Sequence, residues 1–257
     1  MREKSISIGD ISLNFKYKKN KYNKNSILIL HGWGGSSDSW VEVGDILYKA
    51  GYNVIIPDLP GFGGTILEKV FTIDDYAKII EKLVNILNLK NFILLGHSNG
   101  GAISIRLINR GNINPEKLIL NNSAGIRQKT TISLKRLIIK YLTFPFKIFK
   151  FIPGYKEIRA LFYRVIGAHD YINSEHNKFL NETFKNMINT DLKDELSNIK
   201  VNTLIIWGEN DAYTPVLDGY LMNKKIKDSK LIILDNERHG IHLQNPKRLV
   251  KTIIDNI

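Results

Sequence analysis

Short, unbroken apolar runs recur along the chain at positions 27–30, 54–56, 92–95, 118–120, 204–207 and 231–234, each rich in Ile, Leu and Val. An unbroken run has no polar side to turn to water. Both of its faces must be covered, as in parallel strands lying between two layers of helices. Between the runs the apolar spacing changes to three and four. Thr72-Ile73-Asp74-Asp75 reads as a capping box opening a helix with Tyr76, Ile79, Ile80, Leu83, Val84 and Leu87 on one face. A second helix over 39–50 should stop at Gly51, a third should start directly after Ser98, and a last one should run from about Pro246 to the C-terminus. Ahead of them, Ile6 to Ile8 and Leu13 to Tyr17 flank Gly9-Asp10, the pattern of an antiparallel hairpin. Strands alternating with helices predict an α/β protein with a mostly parallel sheet and helices on both faces.

One segment interrupts the alternation. Over 125–200 no buried-strand run occurs, and helical spacing returns at Leu134, Leu137, Ile138, Tyr141 and Leu142. The expected organisation is a core formed by 1–124 and 201–257, with 125–200 inserted as a helical cap over the strand C-termini rather than an independent domain.

The candidate chemistry starts at Gly96-His97-Ser98-Asn99-Gly100, a Gly-x-Ser-x-Gly pattern directly after an apolar run and directly before a helical one. A serine forced into a sharp strand-to-helix turn projects its hydroxyl above the sheet, and the flanking glycines let chains pass without Cβ clashes. Ser98 is thus the expected nucleophile. It needs a base, and six histidines are available: His31, His97, His169, His176, His239 and His242. The order serine, acid, histidine that goes with such an elbow selects the loop after the last strand, where His239 is favoured over His242 by its closeness to the strand end. Arg238 stands directly before His239.

The acid is expected after the strand at 204–207, and Asp211 stands there, ahead of the competitors Glu209, Asp218 and Asp235. A carboxylate at that place would fix the histidine tautomer and stabilise the imidazolium. The other place for the acid, after the preceding strand, reads Asn121-Asn122-Ser123 and offers no carboxylate. Two backbone N–H groups should form an oxyanion hole: that of Asn99, at the start of a helix, and that of Trp33, in the glycine-rich turn Leu30-His31-Gly32-Trp33-Gly34-Gly35.

Taken together, HGWGG, PDLPGFGGT, GHSNGG, WGENDAYTP and the late His239 resemble the α/β-hydrolase superfamily, and in particular small bacterial serine carboxylesterases. The resemblance covers nearly the whole chain outside the cap. It implies the α/β-hydrolase fold, acyl transfer to water through an acyl-enzyme, and no metal or organic cofactor. Asp58 and Gly61 of PDLPGFGGT are shaping residues in that family rather than catalytic ones. Two other chemistries run on the same triad, hydrolysis of a C–C bond of the meta-cleavage type and perhydrolysis, and a catalytically silent binding protein is the remaining alternative.

Composition narrows the rest. The chain has no cysteine, which excludes disulfides, thiol nucleophiles and Cys-bound zinc. Neither a signal peptide nor a nucleic-acid motif is recognisable, so a cytoplasmic location is expected and no nucleic-acid partner. The net charge is +12, and nine basic residues against one acid fall within 127–159, interleaved with Phe144, Phe146, Phe149 and Phe151. This stretch is either a solvated surface or a face that meets an anionic partner, an acyl carrier protein or a membrane surface, beside a small-molecule or acyl-chain ester substrate.

Overall fold

The computed structural model describes residues 1–20, 25–127 and 178–257. Among these residues eight strands form one sheet in the order β1-β2-β4-β3-β5-β6-β7-β8. The hairpin is present: β1 (Arg2–Ile8) pairs antiparallel with β2 (Ile11–Lys18). Gly9 takes φ 60° in its turn, a conformation that glycine reaches without a Cβ penalty. β2 pairs antiparallel with β4 (Asn53–Pro57), and from there to β8 (Ser229–Leu234) every pairing is parallel. β3 (Ser26–Leu30), β5 (Phe92–His97), β6 (Lys117–Asn121) and β7 (Thr203–Gly208) occupy the middle.

The unbroken apolar runs follow from that placement. Ile27, Ile29, Val54, Ile56, Ile93, Leu95, Leu204 and Ile206 face one core, shared with α1 (Val41–Lys49) and the C-terminal helix. Leu28, Leu30, Leu94, Leu118, Leu120, Ile205 and Trp207 face the other core, shared with α2 (Ile73–Ile86) and α3 (Asn99–Asn109). β8 departs from the expectation. It is an edge strand with only Leu234 fully buried, so its apolar run covers one neighbour instead of lying between two.

The Thr72–Asp75 capping box forms as read, and Gly51 follows α1 at φ 104°. That helix opens later than its pattern suggests, because Ser37–Trp40 is a 3₁₀ turn capped by Ser36. Asp58 acts as a brace: its carboxylate accepts the N–H groups of Ser37 at 2.7 Å and Gly64 at 2.9 Å, tying the loops after β3 and β4 together.

Of the expected cap, 128–177 lies outside the described residues. Its described C-terminal part, α4 (Lys178–Asn189), packs on the core through Leu180, Thr183 and Met187. Three helices follow: α5 (Val216–Lys225), α6 (Ile241–Gln244) and α7 (Pro246–Ile254). Among the described residues no helix is long and apolar enough to cross a membrane.

Candidate active site

The C-terminal ends of β3, β5, β6, β7 and β8 converge on one edge of the sheet. Between β5 and α3 the chain turns at Ser98, which takes φ 52° and ψ −121°. Positive φ is costly for a residue with a side chain and persists only where the surroundings over-determine it. Here they do. A Cβ on Gly96 would lie 2.6 Å from the Gly100 oxygen, and one on Gly100 would lie 2.2 Å from the Leu30 carbonyl oxygen. Backbones therefore pass in contact on both sides of the serine. The Ser98 carbonyl accepts the N–H groups of Gly101, Ala102 and Ala124, and the residue remains partly exposed.

The turn after β3 is fixed by a histidine. His31 Nε2 accepts the Leu59 N–H at 3.0 Å, so the ring proton sits on Nδ1 and is donated to the Gly32 carbonyl at 2.7 Å. Burial pushes the His31 imidazole below its usual range, which preserves this neutral tautomer. The same carbonyl accepts the Gly35 N–H at 3.2 Å. Because the peptide is planar and trans, holding the Gly32 C=O also holds the Trp33 N–H, pointing the opposite way. A Cβ on Gly32 would stand 3.0 Å from the Ser98 Cβ, so this peptide borders the elbow. The other expected donor, the Asn99 N–H, belongs to the first residue of α3, where amides have no intrahelical acceptor. The Trp33 ring packs against Phe62 and against Phe184 of α4, each at a centroid distance of 4.9 Å.

Asp211 and His239 come from neighbouring loops that run in backbone contact. A Cβ on Gly208 would lie 2.7 Å from the Glu237 and Arg238 carbonyl oxygens, and the Asn210 N–H donates to the Glu237 carbonyl at 2.9 Å. His239 Nδ1 and Asp211 Oδ2 are 2.7 Å apart, with the Asp211 side chain fully buried and that of His239 18% exposed. Asp211 Oδ2 also accepts from the Thr214 hydroxyl at 2.7 Å and from the Asn122 side-chain amide. Its Oδ1 accepts the N–H groups of Tyr213 at 2.8 Å and Thr214 at 3.0 Å. Burial alone would raise the Asp211 carboxyl. The hydrogen bond and charge of His239, with the Asn122 and Thr214 hydrogen bonds, outweigh burial and hold it below the usual carboxylate range. An ionised carboxylate that accepts a hydrogen bond from Nδ1–H keeps that proton on Nδ1 and leaves the Nε2 lone pair free to accept another.

The remaining candidates lie elsewhere. His242 is buried, with its ring stacked on Trp40 at 4.4 Å and an interplanar angle of 5°. Glu209 is exposed and accepts the Asn236 N–H, Asp218 is buried in the first turn of α5, and Asp235 pairs with Arg248 at the surface. His169 and His176 fall outside the described residues.

Sequence reasoning passed over His97, whose Nε2–H donates to the His239 carbonyl at 3.0 Å and so ties the histidine loop to the residue before Ser98. It also passed over Asn122 and Thr214. The turn at Asp211 carried a legible signal, since an aspartate commonly accepts the backbone N–H groups two and three residues on, but the sequence did not mark the Thr214 hydroxyl.

A family model described as the alpha/beta hydrolase fold matches residues 25–123, which include the Trp33 turn and the Ser98 elbow. The chain is 25% identical to the human monoacylglycerol lipase ABHD6, over 99% of this chain and 82% of the relative. It is 24% identical to 2-hydroxy-6-oxononadienedioate/2-hydroxy-6-oxononatrienedioate hydrolase 1 of Pseudomonas putida, over 97% of this chain and 94% of the relative. Among solved structures, the esterase EaEST of Exiguobacterium antarcticum superposes with a TM-score of 0.74 at 21% identity, over 95% of both chains.

Proposed function

From the family-model match over residues 25–123 and the likeness to a monoacylglycerol lipase, we propose that the chain is an α/β-hydrolase, a carboxylic ester hydrolase working through Ser98, His239 and Asp211. The observation that carries this reading is the 2.7 Å hydrogen bond between His239 and the buried Asp211, formed on the sheet edge where Ser98 is held at positive φ. In the proposed reaction His239 removes the Ser98 proton, and Ser98 attacks the ester carbonyl. The oxyanion is met by the N–H groups of Trp33 and Asn99. His239 then protonates the leaving alcohol, and water repeats the sequence on the acyl-enzyme. Residues 125–200 act as the cap in this reading, and the basic stretch 127–159 faces an anionic carrier protein or membrane surface that presents the ester.

Labelling with a fluorophosphonate probe and hydrolysis of a short-chain nitrophenyl ester test the proposal. Ser98→Ala should abolish labelling and lower turnover by on the order of 10⁶ in a protein that still folds. Labelling retained at another serine removes Ser98 from its role. The likeness to the Pseudomonas putida hydrolase favours a second reading, cleavage of a C–C bond by the same residues. Turnover of a vinylogous diketone in preference to the nitrophenyl ester would select it.

A further inference from the structure

We infer that Asn122 is a positioning residue that sets the acid against the nucleophile, an inference that rests on the triad reading above. Asn122 lies one residue past β6 and is completely buried. Its φ is 46°, a left-handed conformation that asparagine and glycine reach more cheaply than other residues. Its side-chain amide donates to Asp211 Oδ2, the oxygen that also faces His239 Nδ1. Its backbone is held independently, since its N–H donates to the Ile206 carbonyl on β7 at 2.9 Å.

The segment around Asn122 also grips the nucleophile. The Ser98 N–H donates to the Asn121 carbonyl at 3.2 Å, and the Ala124 N–H donates to the Ser98 carbonyl at 2.9 Å. One four-residue turn, 121–124, thus fixes the Ser98 backbone at both its N–H and its C=O and fixes the Asp211 carboxylate through Asn122. Thr214 approaches both sides, its hydroxyl 2.7 Å from Asp211 Oδ2 and 3.2 Å from the Asn122 carbonyl, but its single proton serves one of the two at a time, whereas the Asn122 amide reaches Asp211 from a backbone anchored on β7. The residue type follows from the chemistry. Only a donor can face an ionised Oδ2, and a carboxylate at the same place would be an acceptor repelled by Asp211.

Two variants separate the amide from the backbone. Asn122→Gly tolerates the positive φ and removes only the side chain. Asn122→Asp keeps the shape and is a donor only while protonated. The charged and titratable groups facing position 122 are Asp211 from the loop after β7 and, beyond it, His239 from the loop after β8, flanked by Tyr213 and by His97 of β5.

Steady-state kinetics on a nitrophenyl ester, with Tm measured alongside, should show Asn122→Gly lowering kcat about ten- to a hundredfold with KM nearly unchanged. For Asn122→Asp, two carboxyl groups at hydrogen-bonding distance share one proton, and the protonated one donates as the amide did. Its activity relative to the parent should therefore rise as pH falls and drop as pH climbs out of the shared-proton range. A flat ratio across pH overturns the inference, as does an Asn122→Gly protein with the parent kcat. If Asn122→Gly does not fold, the pH dependence of Asn122→Asp decides alone. The triad reading stands or falls separately, on Ser98→Ala.

Discussion

His239 and His242 are three residues apart in the chain and in opposite environments, so substitutions at the two separate catalysis from folding. His239 meets Asp211, and His239→Ala should cost nearly as much turnover as the loss of Ser98. Asp211→Asn should lower kcat by about 10⁴, because an amide favours the wrong imidazole tautomer. His242 has no such partner. Burial chiefly, with His239 and His31 nearby, pulls its imidazole down to about 3. In the unfolded chain the same imidazole takes up a proton near 6.5, its ordinary value. Between those two values the unfolded state binds more protons, so the stability contributed by neutral His242 is present above the upper value and is lost as pH falls across the window. His97, pushed well down by burial and by the neighbouring His242 and His239, adds to the same slope. Thermal melts from neutral to acid pH should therefore show Tm falling, with a shallower fall for His242→Phe, which keeps a ring on Trp40 and removes the titration. An equal slope in parent and variant would take His242 out of the acid sensitivity. At this scale the sequence marked Ser98, Asp211 and His239 as candidates because chain order constrains them, and the structure sets Asp211 against His239; Asp58 stood out through its motif. Asn122 and His97 were not legible as partners. Their roles depend on which loops meet in space, and an asparagine after a strand carries no sign of the carboxylate it will face.

The elements that hold the site are joined by contacts too close for a side chain. Gly100 packs α3 against β3, with an added Cβ falling 2.2 Å from the Leu30 carbonyl oxygen and 2.6 Å from that of His31. Those are backbone atoms that cannot swing aside. Gly100→Ala should thus cost on the order of 3 kcal/mol, seen as a Tm lowered by about 10 °C. It should also remove more activity than the lost folded fraction explains, because the Leu30 and His31 carbonyls lead directly into the Trp33 turn. Thr72→Ala is the contrast. It removes the N-cap of α2, far from the elbow in the chain, and should cost about 1 kcal/mol while leaving kcat as it was. Circular-dichroism melts with turnover per folded molecule distinguish the two, and equal effects on kcat would mean that Gly100 does not transmit to the site. Element type was readable from period and caps, down to the Thr72–Asp75 box. Position within the sheet was not. The run at 231–234 is as apolar as those of the central strands, yet β8 lies at the edge, because strand order is a property of the whole sheet that no local pattern records.

For the molecule as a whole the open quantity is charge. The chain carries +12, and the stretch 127–159 concentrates nine basic residues against the single acid Glu157. On the described core, by contrast, basic side chains are repeatedly paired: Lys16 with Glu3 and Asp38, Lys18 with Asp45, Arg106 with Glu195, Arg110 with Asp74 and Glu81, Arg248 with Asp235 and Glu237. The excess is thus segregated along the sequence, which gives the proposed anionic partner its basis. Attraction between exposed charges is screened beyond roughly 8 Å at physiological ionic strength. An ester presented on an anionic vesicle or on an acidic carrier protein should lose kcat/KM as salt rises, since the encounter is steered by long-range charge. A small neutral ester should not respond, because its encounter with Ser98 involves no net charge. Replacing Lys135, Arg136 and Lys140 together with Gln should reproduce the effect of salt on the presented substrate and leave the small ester untouched. If the two substrates are equally indifferent to salt, or if the triple replacement slows both alike, the basic stretch has no steering role and the partner proposal falls while the triad reading stands.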